Sequence, residues 1–115
     1  MPSRGESEFM LWVKIFSTHK EADEQIAPGT TRLLVVHGKR ICLGRVGQRF
    51  YAVDDRCPHQ GESLSKGKIN YLGEVICPWH GYRFNLKTGR EANEHCKDIG
   101  SYPVHADGQG VFIGL

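Results

Sequence analysis

Short runs of bulky apolar residues, each ended by a glycine, proline or acidic turn signal, recur along most of the chain. Runs of this length and spacing predict β-strands. The predicted strands span residues 10–16, 32–36, 40–46, 49–53, 74–76, 101–105 and 110–113. Short strands separated by such turns indicate an all-β fold, a small antiparallel β-sandwich or barrel.

One helical segment interrupts this pattern. Thr18 and Glu21 have the spacing of a capping box, and Pro28-Gly29 ends the segment. A helical turn is therefore expected between residues 18 and 26, and no internal repeat is found.

The length of 115 residues fits one domain. Residues 9–115 are predicted to form it, behind a short flexible tail of residues 1–8 that lacks the apolar run of a signal peptide. The formal net charge of +2 gives no broad basic field for nucleic acid. No apolar run has the length of a membrane span. A soluble, cytoplasmic protein with no membrane or nucleic-acid partner is expected.

Residues of metal-ligand type occur in two similar groups. Cys57-Pro58-His59 forms C-x-H, and after seventeen residues Cys77-Pro78-Trp79-His80 forms C-x-x-H. Each group offers one thiolate and one imidazole directly after a predicted strand, so both are expected in loops, where functional residues are commonly placed. Glycines around both groups favour close approach of the backbone to a bound group.

Two thiolates and two imidazoles are the ligands of a Rieske centre, in which two His replace two Cys on one iron of a 2Fe–2S cluster. With two ferric ions, two sulfides, two thiolates and two neutral imidazoles, the oxidised centre is uncharged, and one electron makes it negative. A cluster with four thiolates starts more negative, so the mixed ligand set accepts an electron more readily. The pattern predicts one such cluster and a role in electron transfer.

A Cys2His2 zinc site uses the same residue types and stays open as an alternative, although its usual order places two Cys together and two His further along. The other cysteines are left outside the chemistry. Cys42 lies in an apolar run and is interpreted as a small buried hydrophobe, and Cys96 lacks ligand partners nearby. The remaining four His are interpreted mostly as surface or turn residues.

From residue 49 onward the chain resembles Rieske-type ferredoxins and related Rieske domains, and the preceding strands look like the opening of the same domain. The matches are Cys57-Pro58-His59, Cys77-Pro78-Trp79-His80-Gly81, Phe84, Thr88-Gly89 and Tyr102-Pro103-Val104. The resemblance implies a β-sandwich with a cluster-binding subdomain of two loops, about residues 57–65 and 77–84. It also implies that Cys57 and Cys77 hold the inner iron, and that His59 and His80 hold the outer iron near the surface.

The chain departs from the Rieske proteins of respiratory complexes at four positions. Those proteins carry a disulfide across the two loops, whereas the matching residues here are Glu62 and Trp79. They also place a Ser and a Tyr whose hydroxyls donate hydrogen bonds to the cluster and to a cysteine sulfur. The matching residues here are Tyr82 and Phe84, so a low reduction potential is expected.

The function that the resemblance implies is that of a soluble one-electron carrier between a reductase and a terminal enzyme such as a ring-hydroxylating oxygenase. Two alternatives remain, the small subunit of an assimilatory nitrite reductase and a redox-sensing or binding module. No catalysis is expected from this chain, because the two His leave no open position on iron and a catalytic domain with mononuclear iron would not fit. Trp79 and the basic residues that flank the motif are candidates for contact with redox partners. These basic residues are Arg56, Lys66, Lys68 and Arg83.

Overall fold

The computed structural model describes residues 10–115, and the predicted tail, residues 1–8, lies outside the described residues. In chain order the elements are β1 (Trp12–Phe16), α1 (His19–Gln25), β2 (Thr31–Val36), β3 (Lys39–Val46), β4 (Arg49–Asp54), a 3-10 turn (Leu64–Lys66), β5 (Lys68–Ile69), β6 (Glu74–Ile76), β7 (Arg83–Asn85), β8 (Ser101–Tyr102), β9 (Val104–Asp107) and β10 (Gly110–Gly114).

The strands form three sheets, with the orders β1-β10-β9, β2-β3-β4-β8 and β5-β6-β7. All pairings are antiparallel, which confirms the predicted all-β class. The first two sheets and α1 enclose one apolar core, here called the base core. Its buried members are Phe16, Ala22, Ile26, Val36, Ile41, Leu43, Phe50, Ala52, Val111 and Ile113.

A second apolar group, here called the loop core, lies between the second and third sheets. Its buried members are Cys42, Val53, Cys57, Leu64, Val75, Cys77, Phe84, Leu86 and Ile99. Both predicted loops start from strands that contribute to this core, one after β4 and one after β6. The two cysteines of the motif are therefore anchored in packed structure and not in free loop.

One predicted strand is corrected by the structure. Residues 101–105 were expected to form a single strand, but β8 pairs with β4 and β9 pairs with β10. The chain passes from one sheet to the other at Pro103, which has no amide hydrogen to donate to a ladder. The strands β5 and β7 were also not predicted, because each contains a single apolar residue, Ile69 in β5 and Phe84 in β7, and so shows no run of bulky apolar residues.

The predicted helix is present, and its first turn is capped. The hydroxyl of Thr18 accepts a 3.0 Å hydrogen bond from the amide of Glu21, whose carboxylate accepts one of 3.2 Å from the amide of Ser17. At the other end the buried guanidinium of Arg45 donates to the carbonyl of Ile26 at 2.8 Å. The helix is thus fixed on β3 by a long-range contact that the local sequence pattern does not reveal.

Within residues 10–115, no helix has both the length and the apolar character that crossing a membrane requires.

Candidate metal centre

The first loop, residues 57–62 (loop one), is a closed turn. The amide of Gly61 donates to the carbonyl of Cys57 at 2.7 Å, and the amide of Cys57 donates to the carbonyl of Glu62 at 2.9 Å. Gly61 has a φ of 76°, a backbone conformation that residues other than glycine adopt only under strain.

The second loop, residues 77–82 (loop two), repeats this turn. The amide of Gly81 donates to the carbonyl of Cys77 at 3.0 Å, and the amide of Cys77 donates to the carbonyl of Tyr82 at 2.7 Å. Gly81 has a φ of 73°. No repeat was predicted, yet the pattern Cys-Pro-x-x-Gly occurs in both loops and indicates their common conformation.

The two loops place the two predicted cysteine ligands in the loop core and the two predicted histidine ligands together at the surface. Cys57 and Cys77 are both buried in the loop core. The imidazoles of His59 and His80 meet at the surface, with their Nδ1 atoms 3.3 Å apart. Each pair takes one residue from each loop, so the sulfur atoms lie inside and the ring nitrogens outside.

The separation of the two Nδ1 atoms fits joint ligation of one metal ion. Two imidazole nitrogens at a usual metal–nitrogen distance of about 2.1 Å and 3.3 Å from each other subtend about 104° at the metal, close to the tetrahedral angle. The structure therefore also indicates which ring nitrogens of His59 and His80 face the candidate site.

The buried thiol of Cys57 holds its proton firmly. Burial raises the pKa of Cys57 to about 11, and although the backbone amide of His59 lowers it, the neighbouring Cys77 raises it further. A metal that binds here must displace this proton, as is usual for thiolate ligands. The positive charge of the metal supplies the stabilisation that water supplies to an exposed thiolate.

Aromatic rings surround both imidazoles. Tyr82 stacks on His59 with ring centroids 4.6 Å apart, and Trp79 stacks on His80 at 5.6 Å. The ring of His95 contacts Tyr82 at 5.2 Å, although the sequence analysis gave this histidine no role. Trp79 is 58% exposed, which leaves it available to a partner, as the sequence analysis considered.

A buried carboxylate organises the base of loop one. Asp55 is fully buried, and its side chain accepts hydrogen bonds from the hydroxyl of Ser63 at 2.6 Å and the amide of Ser65 at 2.9 Å. Arg40 forms an ion pair with it at 3.2 Å. Burial opposes ionisation of Asp55, but the hydrogen bonds from Ser63 and Ser65 and the charge of Arg40 outweigh it and lower the pKa. In the sequence Asp55 marks only the end of a predicted strand, so this role was not predicted.

The other cysteines also border the site. Cys42 is a buried member of the loop core, as its apolar surroundings predicted, and Cys96 packs partly against the same core. Two of the basic residues near the motif form ion pairs. The Nζ of Lys66 lies 3.8 Å from Oε1 of Glu62, and a guanidinium nitrogen of Arg83 lies 3.4 Å from Oε1 of Glu74. These two ion pairs reduce the positive field that a partner would meet.

Comparison with known proteins agrees with the type of cluster that the paired motif predicts. The family model of the Rieske [2Fe-2S] domain matches residues 17–103. The chain is similar to the 3-phenylpropionate/cinnamic acid dioxygenase ferredoxin subunit of Escherichia coli (strain K12), with 42% identity over 76 residues that cover 65% of this chain and 72% of that protein.

Two solved structures show the same architecture. A chain of the complex of reduced oxygenase and oxidized ferredoxin in carbazole 1,9a-dioxygenase is 32% identical, with a TM-score of 0.75 over 89% of this chain and 91% of that one. A putative NADH-dependent nitrite reductase small subunit from Mycobacterium tuberculosis is 18% identical, with a TM-score of 0.79 over 92% and 96% of the two chains. At that identity the second likeness concerns the fold alone.

Proposed function

The chain belongs to the Rieske [2Fe-2S] domain family, and we propose that it binds one 2Fe–2S cluster and carries single electrons from a reductase to a ring-hydroxylating oxygenase. When bound, the cluster accepts and releases one electron. Cys57 and Cys77 would hold the inner iron, and His59 and His80 would hold the outer iron through Nδ1. The observation that carries this proposal is the 3.3 Å separation of the two Nδ1 atoms, one from each loop.

The arrangement of the ligands by type favours the cluster over a zinc ion. A single zinc ion requires all four donors at one point. Here the two cysteines are buried inside the loop core, while the two imidazoles contact each other at the surface. Two irons, one with sulfur ligands and one with nitrogen ligands, match that division.

The chain's own residues determine how an electron enters and leaves. The loop core excludes water from Cys57 and Cys77, whereas His59 and His80 reach the surface. A redox partner that docks over the imidazoles and Trp79 comes close to the cluster without displacing a ligand. Because His59 and His80 would occupy the outer iron, this chain would supply no position for oxygen or substrate, and catalysis would belong to the partner.

The oxygenase system is preferred to a nitrite reductase because of the relatives. The 42% identical relative is the ferredoxin subunit of a dioxygenase, whereas the nitrite reductase small subunit shares the fold at 18% identity. The two functions differ in a measurable way. A carrier exchanges rapidly between partners as a free protein, and a subunit copurifies in a stable complex with a large reductase.

A cytoplasmic location forms part of the proposal. It rests on the cysteines, which are unpaired in the described residues 10–115, as is usual in a reducing compartment.

Elemental analysis tests the cluster directly. Protein purified without oxygen should contain about two irons and two acid-labile sulfides per chain and should be reddish-brown. Cys57→Ser and Cys77→Ser should lose the cluster, and replacement of His59 or His80 should weaken or alter it. Stoichiometric zinc without sulfide in freshly purified protein contradicts the proposal.

The electron-carrier role needs a separate test. The loaded protein, mixed with the reductase and oxygenase of one dioxygenase system, should be reduced by NADH and reoxidised in step with product formation. A loaded protein that is reduced but never reoxidised by any oxygenase component would exclude this role while leaving the cluster assignment intact.

A further inference from the structure

One side chain joins the two loops across the candidate metal centre. Tyr82 belongs to loop two, but its ring stacks on the imidazole of His59 in loop one, with centroids 4.6 Å apart and planes 29° from parallel. His80 stacks on Trp79 of its own loop and meets His59 edge-on, with ring centroids 4.9 Å apart and planes 66° from parallel. The contact between Tyr82 and His59 is therefore a contact between the two halves of the site.

The position of Tyr82 is fixed from several directions. Its carbonyl accepts the hydrogen bond that closes loop two, and its side chain packs against the loop core. The ring of His95 contacts it at 5.2 Å, and the amide of His95 donates a short hydrogen bond to the buried carboxylate of Glu91. Tyr82 thus presents a supported flat surface to His59.

The matching residue of loop one does not make a reciprocal contact. Glu62 holds the same place in its turn as Tyr82 does in loop two. Its carboxylate accepts from the amide of Ser63 at 2.8 Å and lies 3.8 Å from Lys66, so it stays on its own side. Tyr82 of loop two, in contrast, supplies a noncovalent connection to loop one through its contact with His59.

We propose that Tyr82 is a positioning residue that fixes the ring plane of His59 and holds the two loops together over the cluster. This role rests on the proposed function, since it assumes that His59 binds iron. An imidazole with one bond to a metal can rotate about that bond, and an adjoining ring restricts the rotation. Stacked aromatic pairs contribute beyond the area they bury, and groups around a metal ligand commonly fix its orientation.

The test compares variants that keep or remove the ring. Tyr82→Phe keeps the aromatic ring, whereas Tyr82→Leu replaces the ring with an aliphatic apolar side chain. Tyr71→Leu is the matched control, because Tyr71 is 95% exposed on the neighbouring hairpin. Each variant is purified with its cluster and reduced for pulsed EPR, which reports the hyperfine couplings of the two ligand nitrogens. The rate of cluster loss to an iron chelator is measured in parallel.

Tyr82→Leu should shift the coupling of one nitrogen and leave the other unchanged, because only His59 loses its neighbour. It should also lose its cluster about fivefold faster, as expected when one aromatic contact is removed. Tyr82→Phe and Tyr71→Leu should match the wild type in both measurements. Identical couplings and loss rates for Tyr82→Leu and Tyr82→Phe overturn the proposal.

A second variant tests the positioning role of Tyr82 if Tyr82→Leu yields no protein with a bound cluster. His95 is exposed, so His95→Leu removes support from Tyr82 without entering the core. A shift in the same nitrogen coupling supports the positioning role, and wild-type values in both measurements overturn it. Wild-type protein without iron and sulfide would instead refute the proposed function, so the two failures are distinguishable.

Discussion

The carboxylate of Asp55 accepts a 2.6 Å hydrogen bond from the hydroxyl of Ser63, which lies on the far side of loop one in the chain. The same carboxylate accepts from the amide of Ser65, and the amide of Leu64 donates to the carbonyl of Asp55 at 2.6 Å. The two ends of loop one are therefore joined at their base independently of a bound cluster. Preorganisation of this kind keeps Cys57 and His59 in place for a metal.

The first prediction concerns this buried carboxylate. Asp55→Ala should lower the free energy of unfolding by about 3 kcal/mol, because it leaves the guanidinium of Arg40 without its ion-pair partner and removes an acceptor from the hydroxyl of Ser63. Ser63→Ala should cost about 1 kcal/mol, and Ser101→Ala, at an exposed serine, should cost almost nothing. Denaturant unfolding of the three loaded variants provides the comparison. A change below about 0.5 kcal/mol for Asp55→Ala would rule out a structural role for the carboxylate.

The second prediction compares two glycines with the same backbone conformation. Gly89 and Gly29 both have a φ of 79°, but a Cβ on Gly89 would lie 2.0 Å from the carbonyl oxygen of Ile99, whereas a Cβ on Gly29 would meet nothing within 4 Å. Gly29→Ala should therefore cost about 1 kcal/mol, the usual cost of this conformation for alanine. Gly89→Ala should cost about 3 kcal/mol or more, because backbone must move as well. Thermal unfolding measures both, and equal costs would show that Ile99 moves away freely.

Features with a local cause were predictable from the sequence. The strands β2, β3 and β4 lie close to their predicted bounds, because apolar runs and turn residues act over a few positions. The loop positions of both ligand groups followed from the same signals. The paired ligand motif also carried the cluster hypothesis, since its chemistry depends on residue types and spacing and not on the details of the fold.

Features with a long-range cause were not predictable. Asp55 looks like an ordinary turn residue until Ser63 and Arg40 fold onto it. Tyr82 shows no sign of its contact with His59, which is 23 positions away in sequence. Contacts of this kind depend on how the loops pack, and a single sequence contains no signal for them.

The third prediction is that the cluster needs neither Cys42 nor Cys96. Both border the loop core, but neither belongs to the paired motif. A Cys42→Ala, Cys96→Ala double variant should keep its visible spectrum and its iron content, and lose about 1 kcal/mol of stability because Cys42 is fully buried. Cys57→Ser is the matched control, which should lose the cluster. A folded double variant without a cluster would assign a ligand role to one of these thiols.

The fourth prediction concerns alkaline stability. Burial raises the pKa of Tyr102, and its hydrogen bond to Asp54 raises it further. The folded protein therefore holds this proton more tightly than the unfolded chain. The resulting stabilisation is complete below the usual value of 10.0 and is lost as the pH rises through the folded pKa. The hydrogen bond to Tyr102 raises the pKa of Lys39, which acts in the same direction.

Tyr102→Phe removes both contributions. It should cost about 1 kcal/mol at neutral pH and make the decline of stability between about pH 9 and pH 11 less steep. The decline should not vanish, because burial also raises the pKa of Cys42 to about 12 and this thiol remains. Unfolding measured across that pH range gives both slopes. A steeper decline in Tyr102→Phe would contradict the direction of the shift.

The last prediction concerns the reduction potential. Reduction adds one negative charge to the cluster, and hydrogen bonds to its sulfur atoms stabilise that charge and raise the potential. Phe84 is fully buried in the loop core and has no hydroxyl, and the ring of Tyr82 lies against His59. Glu62 and Trp79 exclude a cross-loop disulfide. The midpoint potential should therefore lie at the low end of the range known for Rieske centres, on the order of −150 mV.

A cluster at that level accepts electrons from a flavoprotein fed by NADH and passes them to an oxygenase, whereas it is too reducing to oxidise a quinol. Protein-film voltammetry near neutral pH measures the midpoint, and a value well above zero would contradict both the hydrogen-bond argument and the carrier role.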